Sequence, residues 1–555
     1  MTDRTGTAGD TTAGGAEGRR DGGTARPASA PLLVDVAGLS VRFGEVGAVR
    51  GVDLRVRPGE CLALVGESGS GKSTVARALL GLAGAGAGVT ARRLEVAGRD
   101  TRGFTDRDWR AVRGRHAALV AQDALVSLDP LRTLRAEIAE PMRVHGTVAR
   151  ERIAERVVEL LAAVGVPEPA ARAAQYPHQL SGGLRQRALI ASALAADPRL
   201  LIADEPTTAL DVTVQEQILG LFRTAKQSGK GILLISHDLA VVARIADRTA
   251  VLRAGEIVEE GPTARLIRRP RHPYTRRLLA SVPAPRTASA APEAAVVLAA
   301  GGLRKSYGGR LAVDGVALEL RAGEALGLVG GSGSGKTTVA RLALGLLLPD
   351  EGEVRLDGAP WSALSEKRRR ARRHRIQLVP QDPYGSLDPR WTVRRLVAEA
   401  LPRGAERPAR IGELLGLVGL SGDHLDRRAH QLSGGQRQRV AIARALAPGP
   451  AVLVCDEPVS ALDVSVQAQI LDLLDGLRTR LGLALLFISH DLAVVRHVSD
   501  RVAVMCQGRI VEENTAAELF AHPRHPYTRE LLAASPALVR GEAASGAQRR
   551  SGRRR

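Results

Sequence analysis

The stretch CLALVGESGSGKST, from Cys61 to Thr74, joins a short apolar run to a glycine-rich loop. The apolar run is continuous rather than alternating, which favours a strand buried on both faces of a parallel sheet. The loop matches the pattern G-x-x-x-x-G-K-[ST] at Gly66, Gly71, Lys72 and Ser73. Its glycines let successive backbone N–H groups surround a phosphate, and the next helix points the positive end of its dipole at the same group. The sequence therefore predicts a strand–loop–helix unit that binds a nucleotide.

Two side chains of this loop suit a nucleotide that carries magnesium. Lys72 can reach the β- and γ-phosphates, and the Ser73 hydroxyl can ligate Mg²⁺. A second loop, GGSGSGKTT, offers Lys336 and Thr337 for the same roles. The candidate ATP-binding residues of the two loops are Gly66, Glu67, Ser68, Gly69, Ser70, Gly71, Lys72, Ser73, Thr74, Gly330, Gly331, Ser332, Gly333, Ser334, Gly335, Lys336, Thr337 and Thr338.

The second loop belongs to a repeat of most of the chain. HQLSGGLRQR, which starts at His178, returns as HQLSGGQRQR at His430, and DEPTTALDVTVQEQIL at Asp204 returns as DEPVSALDVSVQAQIL at Asp456. ISHDLAVV and HPYT also occur twice, so the pattern indicates one module duplicated in tandem. We predict a disordered tail, a first ATPase domain, a Pro/Ala-rich linker, a second ATPase domain and a disordered basic tail, over residues 1–31, 32–285, 286–296, 297–538 and 539–555. The alternative for the last segment is a membrane-surface anchor.

Composition narrows the class of function. The chain has 555 residues and a formal net charge of +20, which invites a nucleic-acid interpretation. Only six of the 79 basic residues are Lys, which indicates an Arg bias of the whole chain, and thirteen aromatic residues are too few for a base-stacking platform. No apolar run approaches the roughly 18–20 residues that span a bilayer, and the N-terminus has no apolar region of a secretory signal. We expect no nucleic-acid partner and no spanning segment.

Paired carboxylates end one buried strand of each module. LLIADEP carries Asp204 and Glu205, and LVCDEP carries Asp456 and Glu457. Acidic groups at such a place are costly unless a cation is near, and nucleotide-bound Mg²⁺ is the natural partner for the aspartate. The glutamate is then placed to polarise a water for attack on the γ-phosphate. The alternative is an aspartate that caps a helix N-terminus.

These motifs together resemble the ATPase subunits of ABC transporters. The resemblance rests on the P-loops, LSGG, DEP followed by ALD, and a lone His after a strand, and it covers nearly all of residues 32–538. It implies an α/β fold with two P-loop NTPase domains of the ABC type in tandem, each a mainly parallel sheet with an antiparallel β subdomain and a helical subdomain. It also implies a head-to-tail pair, in which each ATP lies between the P-loop of one domain and the LSGG signature of the other.

The resemblance implies roles for residues outside the P-loops. The candidate catalytic residues are Glu205, Glu457, His237, His490, Gln122 and Gln381. The candidate metal-binding residues are Ser73, Asp204, Gln122, Thr337, Asp456 and Gln381. Further candidate ATP-binding residues are Ser181, Gly182, Gly183, Ser433, Gly434, Gly435 and Gln436 of the signatures, Phe43 and Tyr307 for stacking on adenine, and Asp211 and Asp463, which cross between the domains. The signatures differ at Leu184 against Gln436, and we expect the Gln436 amide to hydrogen-bond near the ribose or across the interface.

QDPYGSLDPR and the repeated HPYT resemble importers of dipeptides, oligopeptides and nickel, some of which, including glutathione importers, have a fused ATPase chain. The resemblance implies ATP and Mg²⁺ as cofactors, two transmembrane permease subunits and an extracellular or periplasmic solute-binding protein as partners, and a peripheral position on the cytoplasmic face of the inner membrane. Some relatives carry an iron–sulfur cluster, but Cys61, Cys455 and Cys506 are too far apart in the chain to suggest one. The alternative function is a soluble tandem ATPase that acts on the ribosome.

Overall fold

The computed structural model describes residues 31–122, 124–207, 212–280, 294–402, 407–460 and 462–534. The predicted tail 539–555 lies outside the described residues, as do all but one residue of the tail 1–31 and most of the linker 286–296. Asp211 also lies outside them.

The strands of the first module form two sheets. Its strands are β1 Val34–Phe43, β2 Val46–Val56, β3 Cys61–Val65, β4 Ala87–Thr90, β5 Arg93–Val96, β6 Arg99–Asp100, β7 Ala117–Val120, β8 Leu200–Asp204, β9 Gly231–Ile235, β10 Arg248–Arg253 and β11 Glu256–Pro262. The first sheet is antiparallel, with β4 paired to β1 beside the order β2-β1-β5-β6. The second has the order β11-β10-β3-β9-β8-β7 and is parallel except for its edge pair β10–β11.

The helices of the first module follow the strand ends. They are α1 Lys72–Ala78, α2 Asp106–Val112, α3 Ala124–Ser127, α4 Leu134–His145, α5 Ile153–Ala163, α6 Pro169–Arg172, α7 Gly182–Leu194, α8 Val212–Gln227, α9 Leu239–Ile245, α10 Thr263–Arg268 and α11 Pro273–Ala280. Four of them, α4 to α7, pack against one another between β7 and β8 of the chain and form a helical subdomain.

The second module repeats this architecture. Its strands are β12 Val296–Tyr307, β13 Arg310–Arg321, β14 Ala325–Val329, β15 Glu351–Leu356, β16 Ala359–Pro360, β17 Ile376–Val379, β18 Val452–Asp456, β19 Ala484–Ile488, β20 Arg501–Cys506 and β21 Arg509–Thr515. Its helices are α12 Lys336–Ala343, α13 Glu366–Arg370, α14 Pro383–Ser386, α15 Val393–Ala400, α16 Arg407–Leu417, α17 Gly434–Leu446, α18 Val464–Leu481, α19 Leu492–Val498, α20 Ala516–Ala521 and α21 Pro526–Ala534. Its sheets have the orders β13-β12-β15-β16 and β17-β18-β19-β14-β20-β21. The predicted fold class is confirmed.

The parallel sheets place the functional loops side by side. Strands β3, β8 and β9 are buried at every position, as the continuous apolar runs predict. Because β7, β8 and β9 are parallel neighbours, their carboxyl ends meet at one edge of the sheet. In open α/β sheets, ligands bind at this edge.

A buried ion pair lies at the opposite end of the parallel sheet of the second module. Arg478 Nη1 donates to Asp500 Oδ2 at 2.6 Å, and the two side chains are only 3% and 4% exposed. The same carboxylate accepts the backbone N–H of Ala325, the first residue of β14. The first module has Lys226 and Asp247 in these places, 3.0 Å apart, with side chains 23% and 48% exposed.

Candidate functional site

The lysine of each P-loop hydrogen-bonds to backbone carbonyls of the same loop. Lys72 Nζ donates to the backbone carbonyls of Gly66 and Glu67, both at 2.8 Å. Lys336 Nζ donates to Gly330 and Gly331 at the same distance. Burial lowers the pKa of Lys72, and the charges of Glu205 and Asp204 offset part of that shift. The amino group of each lysine is therefore buried and bound by its own loop.

Each helix after a P-loop is preceded by an N-cap glycine whose backbone lies in the left-handed region. Gly71 and Gly335 both have φ of 105°. A Cβ at Gly71 would lie 2.5 Å from the carbonyl oxygen of Ala48, and one at Gly335 would lie 2.4 Å from that of Ala312. Both conformation and space therefore require glycine here, because no other residue adopts this backbone without strain.

The aspartates at the ends of β8 and β18 contact the P-loop hydroxyls. Ser73 Oγ donates to Asp204 Oδ1 at 2.9 Å. Burial raises the pKa of Asp204 and of Asp456, while hydrogen bonds from Ser73 and Thr337, respectively, offset part of the shift. Among the described residues, Asp456 Oδ1 is buried without a hydrogen-bond partner. A hydroxyl, a carboxylate and an unsatisfied buried oxygen form a donor set that fits Mg²⁺, which prefers oxygen ligands.

Three neighbouring strands bring a glutamine, a glutamate and a histidine into contact in the first module. Gln122 follows β7, Glu205 follows β8, and His237 lies just after β9. Gln122 Nε2 donates to Glu205 Oε2 at 2.9 Å, and His237 Nδ1 lies 3.1 Å from Glu205 Oε1. The structure thus joins residues that lie 83 and 32 positions apart along the chain (122 to 205, and 205 to 237).

The second module repeats the contact. Gln381 Nε2 donates to Glu457 Oε2 at 2.8 Å, and His490 Nδ1 lies 3.2 Å from Glu457 Oε1. Burial alone would raise the pKa of Glu457, but the hydrogen bond and charge of His490 outweigh it, so the pKa lies below its ordinary value. Conversely, burial would lower the pKa of His490, and Glu457 raises it overall. Glu457 is therefore held as a carboxylate, the form that accepts a proton.

Both glutamates have a backbone conformation that is rare for residues other than glycine. Glu205 has φ of 49° and Glu457 has φ of 48°. Their backbone N–H groups donate to Ile235 and Ile488 on the neighbouring strands, both at 2.9 Å. The left-handed conformation costs about 1–2 kcal/mol for an L-residue, and it turns each carboxylate toward the glutamine and the histidine.

A cleft of about 1010 Å³ gathers the candidate residues of the second module. The residues that line it include Tyr307, the P-loop from Gly331 to Thr338, Gln381, Glu457 and His490. Tyr307 is 48% exposed, and Phe43, its counterpart in the first module, is 40% exposed. An exposed ring at the mouth of a phosphate-binding cleft is available to stack on a base.

The two signatures begin their helices differently. Ser433 is the N-cap of α17: its Oγ accepts the N–H of Gln436, and Gln436 Oε1 accepts the N–H of Ser433. Gln436 Nε2 lies 3.2 Å from His424 Nε2. The Gln436 amide thus hydrogen-bonds within its own module here, and its contact near the ribose or across the interface stays a prediction. Ser181 makes no side-chain capping hydrogen bond, and Leu184 packs against the core instead.

The two modules face each other across their candidate sites. The charge of Asp463, in the second module, acts on Lys72 in the first. Asp238 and Asp491, which follow the two histidines, also interact electrostatically across the modules. Helix α21 of the second module packs against α8 of the first. The head-to-tail pairing of each P-loop with the opposite signature stays a prediction.

Two tyrosines that sequence reasoning did not assign contact the P-loops. Tyr274 Oη accepts the backbone N–H of Glu67 at 3.1 Å, and Tyr527 Oη accepts that of Gly331 at 2.9 Å. Both belong to the HPYT motif, which sequence reasoning used only to choose a subfamily. Its recurrence some 200 residues after each P-loop was the available signal.

Comparison with known proteins places the chain in a family. A family model described as "ABC transporter" matches residues 49–208 and 313–460. A model described as "Oligopeptide/dipeptide transporter, C-terminal region" matches residues 258–297 and 511–554. The chain is 44% identical to the peptidoglycan transport ATP-binding protein YejF of Agrobacterium fabrum, over 91% of this chain and 96% of that protein. It is 42% identical to the glutathione import ATP-binding protein GsiA of Salmonella typhimurium, over 91% of this chain and 89% of that protein.

A solved structure shares the tandem fold. The archaeal ribosome recycling factor aABCE1, solved with the ribosomal stalk protein aP1, superposes with a TM-score of 0.61 over 86% of this chain and 90% of that chain. The two sequences are 22% identical, so the likeness shows the fold alone.

The repeated P-loops, paired carboxylates and signatures define an ATP-binding cassette ATPase, and the chain belongs to the ABC transporter family. More particularly, it is a tandem ATP-binding and ATP-hydrolysing subunit that carries the oligopeptide/dipeptide transporter C-terminal region in both copies. A subunit of this kind works with membrane permeases. Across the described residues, no helix is both long and apolar enough to cross a bilayer.

Proposed function

We propose that the chain hydrolyses ATP at two composite sites and so powers the import of peptides or related small solutes. The observation that carries this proposal is the Gln–Glu–His contact, which recurs in both modules with donor–acceptor distances that agree within 0.1 Å. A buried carboxylate is costly, and a site that only bound nucleotide would not need one beside the P-loop. The two ATPase domains are proposed to extend over residues 32–285 and 297–538.

Magnesium has a proposed place at the end of each central strand. Ser73, Asp204 and Gln122 would hold it in the first module, and Thr337, Asp456 and Gln381 in the second. When bound, Mg²⁺ neutralises phosphate charge and orients the γ-phosphate. No iron–sulfur cluster is proposed, because the chain has no cysteine between Cys61 and Cys455.

The remaining chemistry belongs to side chains of this protein. Lys72 and Lys336 hold the β- and γ-phosphates after leaving the loop carbonyls that they now contact. Glu205 and Glu457 accept a proton from the attacking water. His237 and His490 fix these carboxylates through Nδ1, and we assign the γ-phosphate to their second ring nitrogen. Ser181 and Ser433 complete the site of the opposite module, with the N-terminal N–H groups of α7 and α17.

The imported solute is proposed to be a peptide or a peptide-like molecule. Support comes from the matches to the oligopeptide/dipeptide transporter region and from relatives named for peptidoglycan transport and glutathione import. The proposed partners are two transmembrane permease subunits and an extracellular or periplasmic solute-binding protein, which selects the solute. The proposed location is peripheral, on the cytoplasmic face of the inner membrane, with no nucleic-acid partner.

The surface after each Gln is the proposed docking place for a permease. In the first module, Val126 and Leu131 flank the SLDP turn and are 81% and 85% exposed. In the second module, Tyr384 precedes the corresponding turn and is 48% exposed. Exposed apolar side chains beside a catalytic loop suit contact with a partner helix. The adjoining Gln122 and Gln381 would then transmit the permease position to the carboxylates.

Membrane fractionation tests the attachment. In cells that lack the permeases, the protein should move from the membrane pellet to the supernatant, because no described helix can anchor it. A protein that stays on the membrane without its permeases would contradict the proposal and point to the basic segment 539–555. When the protein is purified from cells that contain the permeases, the permeases should co-purify with it. Recovery of ribosomes in their place would support the alternative function on the ribosome.

A further inference from the structure

The HPYT motif fixes the start of a helix in each module. Pro273 and Pro526 are the first residues of α11 and α21, a position where the missing N–H of proline costs nothing. His272 Nδ1 accepts the backbone N–H of Tyr274 at 3.1 Å, and His525 Nδ1 accepts that of Tyr527 at 3.2 Å. The histidine therefore caps the helix and sets the direction in which the tyrosine leaves it.

A glutamate fastens this turn to the last strand of each module. In the first, Glu259 on β11 accepts the N–H groups of Arg271 and His272, both at 2.9 Å. In the second, Glu512 on β21 accepts the N–H groups of Arg524 and His525 at 2.8 and 2.9 Å. The turn is thus fixed to the sheet independently of the nucleotide.

The fixed helix brings a phenol to the P-loop. Tyr274 is 3% exposed and Tyr527 lines the nucleotide cleft. Their hydroxyls accept N–H groups of Glu67 and Gly331, the second residues of the two P-loops. A buried backbone N–H without an acceptor is costly, so the phenol stabilises one conformation of the loop.

One of these two helices also contacts the other module. Helix α21 packs on α8, the helix that follows Asp211 in the first module. In the reverse direction, the charge of Asp463 acts on both Tyr274 and Lys72. Helix α21, which carries the phenol of Tyr527, therefore contacts both its own P-loop and the facing module.

We propose that Tyr274 and Tyr527 are positioning residues that hold each P-loop in its phosphate-binding form and that link this form to the facing module. The inference rests on the proposed function, because it takes the P-loop as the phosphate site. It gives the HPYT motif a mechanical role in ATP binding that does not involve contact with the reacting atoms.

The test is the steady-state ATPase kinetics of the full chain with Tyr274→Phe and Tyr527→Phe, separately and together. Phenylalanine keeps the ring and removes only the acceptor oxygen. We expect the KM for ATP to rise by about two- to twelvefold for the double variant, with kcat at saturating ATP close to that of the parent, because the phenol positions the loop and takes no part in the chemical step. Thr479→Val, which removes an exposed hydroxyl that donates to Asp475 of its own helix, is the control and should leave KM unchanged.

Two outcomes would overturn the inference while leaving the proposed function intact. One is an unchanged KM for the double variant when Lys336→Ala still weakens ATP binding. The other is a lower melting temperature without nucleotide together with an unchanged KM, since that describes a purely structural role. If Lys336→Ala binds ATP like the parent, the proposed function itself fails.

The link between modules has its own test. Tyr274→Phe and Asp463→Asn should be combined in a double-mutant cycle for the KM of ATP. Groups that act together give a combined effect that differs from the product of the single effects. A double variant whose KM equals that product would overturn the link.

Discussion

The first and second modules can be compared at their catalytic contacts, their signature helices and the ion pairs at the base of their sheets. The distance from the glutamine to the glutamate is 2.9 Å for Gln122 and 2.8 Å for Gln381. The signature helix of the second module has a reciprocal capping box at Ser433, which the first lacks at Ser181. The ion pair is Lys–Asp and half-exposed in one module, and Arg–Asp and buried in the other.

These differences lie in the residues that support the sites, and the residues proposed to react are the same in both modules. Differences between the supporting residues change ATP affinity or protein stability by a few kcal/mol at most. Loss of the proposed catalytic carboxylate would instead abolish turnover at that site. The comparison therefore favours two hydrolysing sites of slightly unequal strength. The four predictions below test it, from the largest expected effect to the smallest.

The catalytic glutamates should matter most. We expect Glu205→Gln with Glu457→Gln to lower kcat by about 10²–10⁴-fold, because glutamine cannot accept the proton from water. Binding of ATP, measured by filter retention, should persist. Each single variant should keep part of the activity, and substantial turnover by the double variant would contradict the role of general base.

The two ion pairs should contribute unequally to the free energy of unfolding. Arg478→Met leaves Asp500 buried without its partner and should lower the free energy of unfolding by about 3–5 kcal/mol. Lys226→Met is the matched change at the half-exposed pair and should cost about 0–1 kcal/mol. Urea denaturation of the full chain measures both. Equal losses would show that burial does not distinguish the two pairs.

The P-loop lysines should show whether both sites contribute. Lys72→Ala and Lys336→Ala should each weaken ATP binding at the altered site by about 10–150-fold, because each removes a charged hydrogen-bond donor to phosphate. Both should lower turnover, whereas Lys230→Ala, at a surface pair with Asp197, should not. Turnover that falls only with Lys72→Ala would mean that the second P-loop never hydrolysed ATP.

The signature position should have the smallest effect. Leu184→Gln offers the first module the capping box of the second and should raise the free energy of unfolding by about 0.5–1 kcal/mol, while Gln436→Leu should lower it by as much. We expect the KM for ATP to change little. If KM moves and stability does not, the Gln436 amide acts on the nucleotide or across the interface, as the sequence suggested.

Much of the fold and the site follows from local sequence patterns. Continuous apolar runs followed by a P-loop, DEP or SHD are strands with ligand-facing ends, and each of these strands lies where the pattern predicts. Local patterns are not enough to predict the contact of Gln122, Glu205 and His237, because this contact requires β7, β8 and β9 to be neighbours in the sheet. That order was not predicted from the sequence.

Three features were not predicted from the sequence, and the reason differs among them. The phenol of Tyr527 meets a P-loop 196 positions away. The Gln436 amide hydrogen-bonds with Ser433 and His424. A motif comparison alone does not tell whether such an amide contacts its own module or a nucleotide. The left-handed backbone at Glu205 and Glu457 has no sequence signal, since glutamate is not a residue that favours it.

That left-handed backbone has an evolutionary consequence. A glycine at Glu205 or Glu457 would relieve the strain of about 1–2 kcal/mol, so a copy released from hydrolysis would gain stability by drifting to a smaller residue. After duplication, each half of a fused gene is free to take that step alone. Both halves still encode glutamate, which is the outcome expected if both proposed sites hydrolyse ATP.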